Sequence, residues 1–463
     1  VNINFAAGPA AVEFALKKAE IDVIITSKAA VEAFGKLKEW NGALPPGRLV
    51  YLEDLLPKIS GARKAWTYAV FRALPRFALE WLYFRYASKA LDETAAMLFT
   101  SGSSSDPKVV ELTHLNIRSN VEMVDEVFMR QAGDLILGVL PFSHSFGSTA
   151  TLWYPLTAGM SVAYHGSPLD AEKAGELAMK YRPTIFFMLP SLLGLYVRKV
   201  EKEAFSSLRL VITGAEALRR EIADFFERRF AVRPMEGYGA TELSPVASLN
   251  LPPVGEVIFN EEGTVGQAVP GSSIRAVDVA QFESAVETGA DVSLLPSVRY
   301  GKPGVLLIYG PHVMKGYYND PEKTLQAIKN GWYVSGDVGI IFDTGRIALV
   351  GRLGRFAKIA GEMVSEVAVE AALQKAAESS EAAFVVTRVA DASRGERLVV
   401  VYAGWDGAIE ELRKMLAANG WPALMTPGRN SFYKLDAVPM LGSGKYDYKK
   451  VKALAAAFEA AKP

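Results

Sequence analysis

A run of hydroxyl side chains that ends in a lysine is the segment of this sequence best suited to chemistry. From Thr100 to Lys108 the chain reads TSGSSSDPK, in which five hydroxyl side chains surround Gly102. Backbone N–H groups and hydroxyls gathered in one loop can bind phosphate oxygens, and a lysine adds a point charge. The run therefore predicts a phosphate-binding loop, with a solvated serine-rich turn as the alternative.

The segments on either side of this loop have regular patterns. Ala95–Phe99 is an apolar, strand-like run, and Ile117, Val121, Val124 and Phe128 recur at helical spacing after the loop. We therefore expect a strand before the loop and a helix after it. A P-loop would need a second glycine before the lysine and Ser or Thr after it, but residues 107 and 109 are proline and valine, so that motif is excluded.

Further motifs follow in a fixed order along the chain. They are GYGATE at 237–242, SGD at 335–337, GRLGRFAKIAGE from Gly351, and GSGK at 442–445. With the serine-rich loop they resemble the adenylate-forming superfamily of acyl-CoA synthetases, peptide-synthetase adenylation domains and luciferases, over essentially the whole chain. Within it, GRFAKIAGEMVS and VPMLGSGKYDY look most like the acyl-carrier-protein synthetase half of the bifunctional acyltransferase that re-acylates lysophosphatidylethanolamine.

The resemblance implies a reaction in two steps. ATP, with Mg²⁺, activates a fatty acid to acyl-AMP with release of pyrophosphate, and the acyl group then passes to a phosphopantetheine thiol, that of acyl carrier protein. An acyl-CoA synthetase or an acyl-adenylate ligase would differ only in the acceptor. A catalytically silent relative that binds acyl-AMP or ATP is the non-enzymatic alternative, and retention of Thr241, Glu242, Asp337, Arg352 and Lys445 argues against it.

The same resemblance implies roles for individual residues. Thr241 would bond the α-phosphate, Glu242 would help to hold Mg²⁺, and Lys445 would carry the adenylation step. Asp337 and Arg352 would bind the ribose hydroxyls, with an ordinary surface ion pair as the alternative. The remaining nucleotide contacts are expected from the phosphate loop, an adenine-side turn and a stacking tyrosine: Thr100, Ser101, Gly102, Ser103, Ser104, Lys108, Gly214, Ala215, Glu216, Tyr238 and Gly239.

The acyl site is expected near PFSHSFG at 141–147, where His144 would gate the pocket. Amino-acid-activating relatives place an aspartate in this motif, and its lack here favours an acid without an amine. Phe186, Phe187, Met188 and Leu193 could line an apolar tunnel, although core packing explains them equally well. An acidic carrier protein would need a basic docking surface, for which the C-terminal region offers several cations: Arg355, Lys358, Lys445, Lys449 and Lys450.

Apolar runs that alternate with helical stretches indicate parallel sheets covered by helices. The runs are 21–26, 135–140, 185–189 and 208–213. We therefore predict an α/β fold with a large N-terminal AMP-binding domain, 1–352, of parallel-rich sheets. A hinge at 353–354 would join it to a small, mobile α+β domain, 355–463. Glycine at 354, where the superfamily usually has Asp or Lys, could absorb the change in backbone angles of a hinge.

Composition excludes some classes of function and leaves others open. Lys plus Arg and Asp plus Glu both total 51, so no global charge favours nucleic acid. The sequence has no cysteine, which removes disulfides, thiolate metal sites and a thiol nucleophile and suits a reducing compartment. No stretch reaches about 18 uncharged apolar residues. A cytoplasmic protein is expected, while acyl chain length and oligomeric state stay undetermined.

Two segments at the start of the chain carry separate expectations. The chain begins at Val1 in what resembles the interior of the family's N-terminal domain, so the first strand–helix units are expected to be missing. From Trp66 to Tyr86 the chain is dense in aromatic residues punctuated by arginines. This segment could lie in the interface of the inner face of the membrane as a peripheral contact, cap an acyl tunnel, or pack as a core helix.

Overall fold

The structure is a computed structural model that describes residues 1–3, 9–35, 46–83, 91–100, 108–252, 260–360, 362–377, 379, 382–391, 393–418, 420–440 and 446–460. The chain divides into two compact units. The first comprises Val1–Ala247, Val269–Gly271 and Gly310–Leu325, and the second comprises Ser248–Ala268, Ser272–Tyr309 and Gln326–Pro463. The two units are groups of residues that lie close together and do not reveal where the chain moves. The hinge at residues 353–354 therefore stays a prediction.

The helices of the described residues, in chain order, are α1 (Pro9–Lys18), α2 (Lys28–Gly35), α3 (Leu52–Leu55), α4 (Gly61–Ala73), α5 (Arg76–Tyr83), α6 (His114–Phe128), α7 (Ser145–Ser148), α8 (Tyr154–Ala158), α9 (Ala171–Tyr181), α10 (Pro190–Lys199), α11 (Arg220–Phe230), α12 (Val279–Thr288), α13 (Pro321–Ala327), α14 (Glu366–Ala377), α15 (Ile409–Ala418) and α16 (Tyr448–Ala460). Among these described segments, no helix is both long enough and apolar enough to cross a membrane.

The strands, in chain order, are β1 (Ile24–Thr26), β2 (Leu49–Tyr51), β3 (Thr94–Thr100), β4 (Lys108–Thr113), β5 (Leu135–Gly138), β6 (Ser161–Tyr164), β7 (Ile185–Met188), β8 (Leu210–Thr213), β9 (Met235–Gly239), β10 (Val246–Leu249), β11 (Gln267–Ala268), β12 (Ser273–Val277), β13 (Pro303–Tyr309), β14 (Gly316–Tyr317), β15 (Ile328–Lys329), β16 (Trp332–Ile341), β17 (Ile347–Arg352), β18 (Phe356–Ile359), β19 (Glu362–Ser365), β20 (Ala383–Asp391), β21 (Gly395–Ala403) and β22 (Phe432–Lys434).

A parallel sheet forms the centre of the first unit, in the order β9-β8-β7-β5-β6. Strands β7 and β8 are buried along their whole length, as expected for strands covered by helices on both faces. Phe186 packs against Tyr196 and Phe205, whereas its neighbour Phe187 packs against Phe128 on the opposite face. The predicted α/β class is confirmed by this sheet.

A strand, not a helix, follows the serine-rich run, which corrects the expected order of strand, loop and helix. Strand β4 follows the loop and runs antiparallel to β3, with Thr100 opposite Lys108. Three of the six residues of Lys108–Thr113, Val109, Val110 and Thr113, are β-branched, a residue type that favours strands. Helix α6 begins only after Thr113, whose side chain accepts a hydrogen bond from the Asn116 N–H in a capping box.

The second unit contains two sheets that are largely antiparallel. One has the order β12-β13-β16-β15, with β17 also paired to β16. The other has the order β19-β18-β21-β20, and β22 joins β21 in parallel. Successive residues of β21 enter two different core clusters: Val400 packs in the cluster that includes Leu373 of α14, and Val401 packs with Val451 of α16. Helices therefore cover both faces, as the predicted α+β C-terminal region requires.

Candidate functional site

Only the two ends of the predicted phosphate loop belong to the described residues. Thr100 ends β3 and Lys108 begins β4, and their pairing sets the base of the hairpin. Both residues are half-buried. Ser101, Gly102, Ser103 and Ser104 lie outside the described residues. The structure thus fixes where the loop leaves and enters the sheet, with the Lys108 side chain at its end.

Thr241 is presented by a tight turn that follows β9. The Ala240 N–H donates to the carbonyl of Pro245 at 3.0 Å, so the chain folds back on itself. A Cβ atom at residue 239 would lie 1.9 Å from the Pro245 carbonyl oxygen, which explains the glycine at this point. The Thr241 hydroxyl lies 3.0 Å from the Ser145 hydroxyl of α7. Two segments far apart in sequence therefore place hydroxyl groups side by side.

The Glu242 carboxylate is held from a third segment of the same unit. The Tyr317 hydroxyl donates to Glu242 Oε1 at 2.8 Å, and the Met314 N–H donates to the Glu242 carbonyl at 2.8 Å. Lys108 Nζ lies 3.5 Å from the Tyr317 hydroxyl and 4.6 Å from the centre of its ring. The first unit therefore brings together the predicted phosphate-binding lysine and the predicted Mg²⁺ ligand.

The Glu242 carboxylate has the donor chemistry that Mg²⁺ prefers, since this cation binds carboxylate oxygen and usually shares its shell with substrate phosphates and water. Within the described part of the chain, no group of three or more His, Cys, Asp or Glu side chains could hold a metal ion by itself. A single carboxylate near the lysine predicted to bind phosphate fits a cation that arrives with its nucleotide.

The predicted adenine-side turn follows β8. Ala215 has a φ of +69°, a left-handed conformation that costs a non-glycine residue about 1–2 kcal/mol. Glu216 accepts a hydrogen bond from the Ser191 N–H at 3.2 Å, and Gly214 is buried. Strain held at a single residue is typical of functional turns. Tyr238, the predicted stacking residue on neighbouring β9, is largely buried.

The half-buried carboxyl of Glu236, two residues before Tyr238 on β9, was not predicted from the sequence. It accepts a hydrogen bond from the Leu218 N–H at 3.2 Å. Burial raises the pKa of Glu236 to about 7, and this hydrogen bond opposes the rise. The side chain therefore titrates near neutral pH.

The predicted ribose-binding pair lies in the second unit, where β16 and β17 place Asp337 opposite Arg352. Arg352 Nε lies 3.2 Å from Asp337 Oδ1. The Asp337 backbone N–H donates to the buried Ser335 hydroxyl, which in turn donates to the Leu306 carbonyl. The Arg352 side chain is 58 % exposed and that of Asp337 is 21 % exposed. The pair itself is present, which fits the surface ion pair and the ribose site alike.

The predicted acyl-site motif forms the turn before α7. His144 is exposed, and its backbone N–H donates to the Pro141 carbonyl. Phe146 meets Phe187 edge to face, with ring centres 6.0 Å apart. Phe186, Met188 and Leu193 are fully buried, and Phe186 packs among aromatic rings, so core packing accounts for it. The contact between Phe146 and Phe187 therefore packs the PFSHSFG motif against β7 of the central sheet.

Lys445 lies outside the described residues. On either side of its segment, Met440 and Tyr446 form an antiparallel bridge, and the Asp447 N–H donates to the Pro439 carbonyl. Of the cations predicted for a carrier-protein surface, Arg355 is wrongly assigned. Its side chain is 14 % exposed and paired with Glu366 and Glu370, so it cannot meet a partner.

Two residues that contact the site, Ser145 and Tyr317, were not singled out by sequence reasoning. Ser145 is one residue from His144 inside a quoted motif, so its hydroxyl could have been noticed. Tyr317 lies in the stretch KGYYNDPEKT, where a glycine precedes two tyrosines and Asp320 caps α13. Only strand pairing between β14 and β4 brings it near Lys108.

Comparison with solved structures supports the fold. The chain superposes on ATP-bound MatB from Rhodopseudomonas palustris with a TM-score of 0.73 and 21% identity, covering 97% of this chain and 82% of that one. It superposes on an acyl-adenylate complex of o-succinylbenzoate CoA synthetase from Bacillus subtilis with a TM-score of 0.73 and 16% identity, at the same coverage. The fold is therefore that of the adenylate-forming enzymes.

Sequence comparison shows the family. The family model described as "AMP-binding enzyme" matches residues 1–318, so the chain belongs to this family. A long-chain-fatty-acid–CoA ligase of Bacillus subtilis is 31% identical over 69% of this chain and 55% of its own length. A 4-coumarate–CoA ligase of Vanilla planifolia is 30% identical over 79% of this chain and 65% of its own length. The chain thus spans about half to two thirds of these relatives.

Proposed function

We propose that this chain is an AMP-forming acid–thiol ligase, which activates a carboxylic acid with ATP and transfers the acyl group to a thiol. The observation that carries this proposal is the grouping of Lys108, Thr241 and Glu242 in one unit. The Tyr317 hydroxyl contacts both Lys108 and Glu242, and the Ser145 hydroxyl contacts that of Thr241. A cation, a neutral hydroxyl and a carboxylate are the groups needed for phosphate, α-phosphate and Mg²⁺, respectively.

In the first half-reaction a carboxylate oxygen bonds to the α-phosphorus of ATP while the bond from that phosphorus to pyrophosphate breaks. Both reactants are anions, so catalysis depends on positioning and neutralisation of charge rather than on a protein nucleophile. Lys108 and the loop from Thr100 would bind the β- and γ-phosphates, and Thr241 would bond the α-phosphate. Mg²⁺, when bound at Glu242, would supply neutralising charge to the phosphate oxygens.

Other residues would hold the rest of the nucleotide and complete the charge balance. Asp337, with Arg352 beside it, would accept hydrogen bonds from the ribose hydroxyls. Tyr238 and the turn of Gly214, Ala215 and Glu216 would contact adenine. Lys445 would bridge the incoming carboxylate and the α-phosphate as charge shifts toward the leaving pyrophosphate.

In the second half-reaction the sulfur of a thiolate bonds to the acyl carbon, and the bond from that carbon to the AMP oxygen breaks. The thiol proton passes to solvent before or during attack. Gly354 has a φ of +80°, a backbone conformation that glycine adopts at little cost. This residue would serve as the hinge that withdraws Lys445 and presents the following segment for thiol transfer.

A fatty acid is the proposed substrate. The Bacillus subtilis relative is named as a long-chain-fatty-acid–CoA ligase. The PFSHSFG motif contains no aspartate that could pair with an amino-acid ammonium group. His144, exposed beside the Phe146–Phe187 contact, would gate entry of the chain.

For the acceptor we propose the phosphopantetheine thiol of acyl carrier protein, on the strength of GRFAKIAGEMVS and VPMLGSGKYDY. Lys449 and Lys450, exposed at the start of α16, would contribute to the basic docking surface in place of the buried Arg355. The relatives are named as CoA ligases, which favours free CoA as the second candidate. Transfer to carrier protein should weaken steeply with salt, whereas transfer to CoA should change less.

The experiment for the central activity is exchange of labelled pyrophosphate into ATP over a panel of fatty acids, followed by transfer to CoA or to holo-carrier protein. We expect exchange that needs both fatty acid and Mg²⁺. A kcat/KM with CoA equal to or above that with holo-carrier protein at physiological salt would make the chain an acyl-CoA synthetase. A lack of exchange with every acid would contradict the ligase proposal itself.

We further propose peripheral contact with an anionic membrane surface through α4 and α5. No described residue of either helix is buried, and Trp66, Phe77 and Trp81 are 69 %, 75 % and 64 % exposed. The two helices also carry Arg63, Lys64 and Arg72, which complement acidic lipid headgroups, and Arg76, which pairs with Glu80 of the same helix. Core packing, one of the alternatives for this segment, does not fit such exposure.

Sedimentation with vesicles of phosphatidylglycerol tests this contact. The parent should sediment with these vesicles, and the double variant Trp66→Ser and Trp81→Ser should not. A control, Tyr300→Ser, removes an aromatic ring of similar exposure from the second unit and should sediment like the parent. Failure of the parent to bind vesicles, or formation of a dimer that the double variant abolishes, would contradict membrane contact.

A further inference from the structure

Tyr317 occupies a position between two charged groups of opposite sign. Its backbone pairs with β4, where Tyr317 lies opposite Val110, two residues beyond Lys108. Its N–H donates to the Thr324 hydroxyl at 2.9 Å, and that hydroxyl donates to the Asp320 carbonyl. The Tyr317 backbone is therefore fixed from both sides, and its side chain is only 6 % exposed.

The phenol oxygen is shared by the two charges. It donates to Glu242 Oε1 at 2.8 Å, within the normal range for a hydrogen bond to a carboxylate, and it lies 3.5 Å from Lys108 Nζ, which donates toward it. The ring face is also 4.6 Å from Lys108 Nζ, measured to the ring centre, which is close enough for a cation–π contact. The Lys108 ammonium and the Glu242 carboxylate thus both contact the uncharged hydroxyl oxygen of Tyr317.

We propose that Tyr317 is a positioning residue that keeps Lys108 and Glu242 in place and prevents them from forming a direct ion pair. This inference rests on the proposed function, in which the lysine binds phosphate and the carboxylate binds Mg²⁺. A direct pair would neutralise both groups in the free protein and would have to break before Mg²⁺-ATP could bind. The Tyr317 phenol donates to Oε1 of Glu242, and Oε2 is the carboxylate oxygen that would meet a cation.

Substitution can separate the two interactions of Tyr317, its hydrogen bond to Glu242 and its ring contact with Lys108. Tyr317→Phe keeps the ring beneath Lys108 but removes the hydrogen bond to Glu242. Tyr317→Leu removes both interactions. Loss of a hydrogen bond to a charged group corresponds to about a tenfold to hundredfold change in an equilibrium constant. The phenylalanine variant should therefore need about tenfold more Mg²⁺, while the leucine variant should also bind ATP more weakly without metal.

Another tyrosine of the same unit offers a matched control. Tyr154 is 1 % exposed, and its hydroxyl donates to Asp125 Oδ1 at 3.0 Å, outside the proposed site. Tyr154→Phe removes the same kind of bond and should lower the thermal midpoint without changing the Mg²⁺ requirement. A merely structural role for Tyr317 would make the two phenylalanine variants behave alike.

The test is calorimetric binding of ATP by the full chain across a Mg²⁺ titration, accompanied by the Mg²⁺ dependence of pyrophosphate exchange. We expect a raised Mg²⁺ requirement for Tyr317→Phe, an unchanged one for Tyr154→Phe, and a raised KM for Mg²⁺-ATP with a smaller change in kcat. A Tyr317→Phe variant with the parental requirement would overturn the inference and leave the proposed function intact. A parent that does not bind Mg²⁺-ATP would overturn both.

Discussion

Two groups of charged residues in this molecule are organised in opposite ways. In the first unit, Lys108 and Glu242 meet through the neutral hydroxyl of Tyr317. In the second unit, Arg355 bonds directly to Glu366 and Glu370 and lies 3.8 Å from the centre of the Tyr448 ring. We call charged groups that pair directly with one another committed, because their pairing serves the fold. We call charged groups that a hydroxyl separates available, because they can still bind a ligand.

The Arg355 group is the clearest case of committed charge. Arg388 adds a second cation to Glu366 and donates to the carbonyl of Gly354, the proposed hinge. Burying such groups costs desolvation energy that only complete pairing offsets. These contacts give Arg355 and Arg388 a role in holding the C-terminal sheet and leave neither for recognition of a partner.

The largest effect we expect is on stability, from Arg355→Met. The substitution leaves Glu366 and Glu370 largely buried with fewer cations, which should cost about 3–5 kcal/mol of unfolding free energy. Urea denaturation measures it. The control Lys358→Met breaks an exposed pair with Glu283 and should cost less than about 1 kcal/mol. Equal losses in the two variants would remove the distinction between committed and available charge.

The next effect is on catalysis. Lys445→Ala should reduce fatty-acid adenylation by at least about a hundredfold and affect thioester formation from supplied acyl-AMP much less, because the lysine acts only in the first half-reaction. Lys449→Ala, an exposed lysine of α16, serves as the control and should leave adenylation unchanged. Equal loss of both half-reactions in Lys445→Ala would contradict a two-conformation mechanism.

Asp337→Ala tests whether the charge pair of β16 and β17 is committed or available. If Asp337 binds the ribose hydroxyls, ATP affinity should fall by about 1.5–3 kcal/mol for each charged hydrogen bond lost. Asp343→Ala, an exposed residue in the turn between the same strands, should bind ATP like the parent. Unchanged affinity in Asp337→Ala would make the pair with Arg352 an ordinary surface ion pair.

The half-buried Glu236 carboxyl makes no ion pair with any cation of the described residues, in contrast to Glu366, which pairs with two arginines. Because burial raises the pKa of Glu236 to about 7, the folded state binds its proton more tightly than the unfolded state does. The resulting stability is complete below the ordinary glutamate pKa and is lost as pH rises through about 7. Glu236→Gln should remove this pH dependence from urea midpoints between pH 5 and 8, whereas the exposed Glu221→Gln should retain it.

Local patterns in the sequence predicted most of the regular structure. The apolar runs at 135–140, 185–189 and 208–213 contain β5, β7 and β8. The motifs also assigned Lys108 and Glu242 to one predicted site, and both side chains contact the Tyr317 hydroxyl. Periodicity failed at β4, because six residues that pair with β3 carry too little signal beside the stronger helical pattern that follows.

Contacts between distant segments could not be predicted from the sequence. The contacts of Ser145 with Thr241 and of Tyr317 with Glu242 join segments far apart in the chain. Tyr317 comes near Lys108 through the pairing of β14 with β4. The burial of Arg355 depends on the packing of α14 and α16 around one sheet, and its sequence context of basic residues suggested an exposed surface instead. The type of a residue indicates which chemistry its side chain can do. Whether a charged side chain can bind a ligand depends on its ion-pair partners in the folded protein.

Direct detection of acyl-AMP tests the central claim that the first-unit charges serve adenylation. The protein is mixed with ATP, Mg²⁺ and each of a panel of fatty acids, without a thiol, and the product is identified by mass spectrometry. We predict acyl-AMP from at least one fatty acid and a large reduction in Thr241→Val, which loses the hydroxyl proposed to bond the α-phosphate. ATP binding without acyl-AMP from any fatty acid would contradict the account and make the chain a nucleotide-binding relative without ligase chemistry.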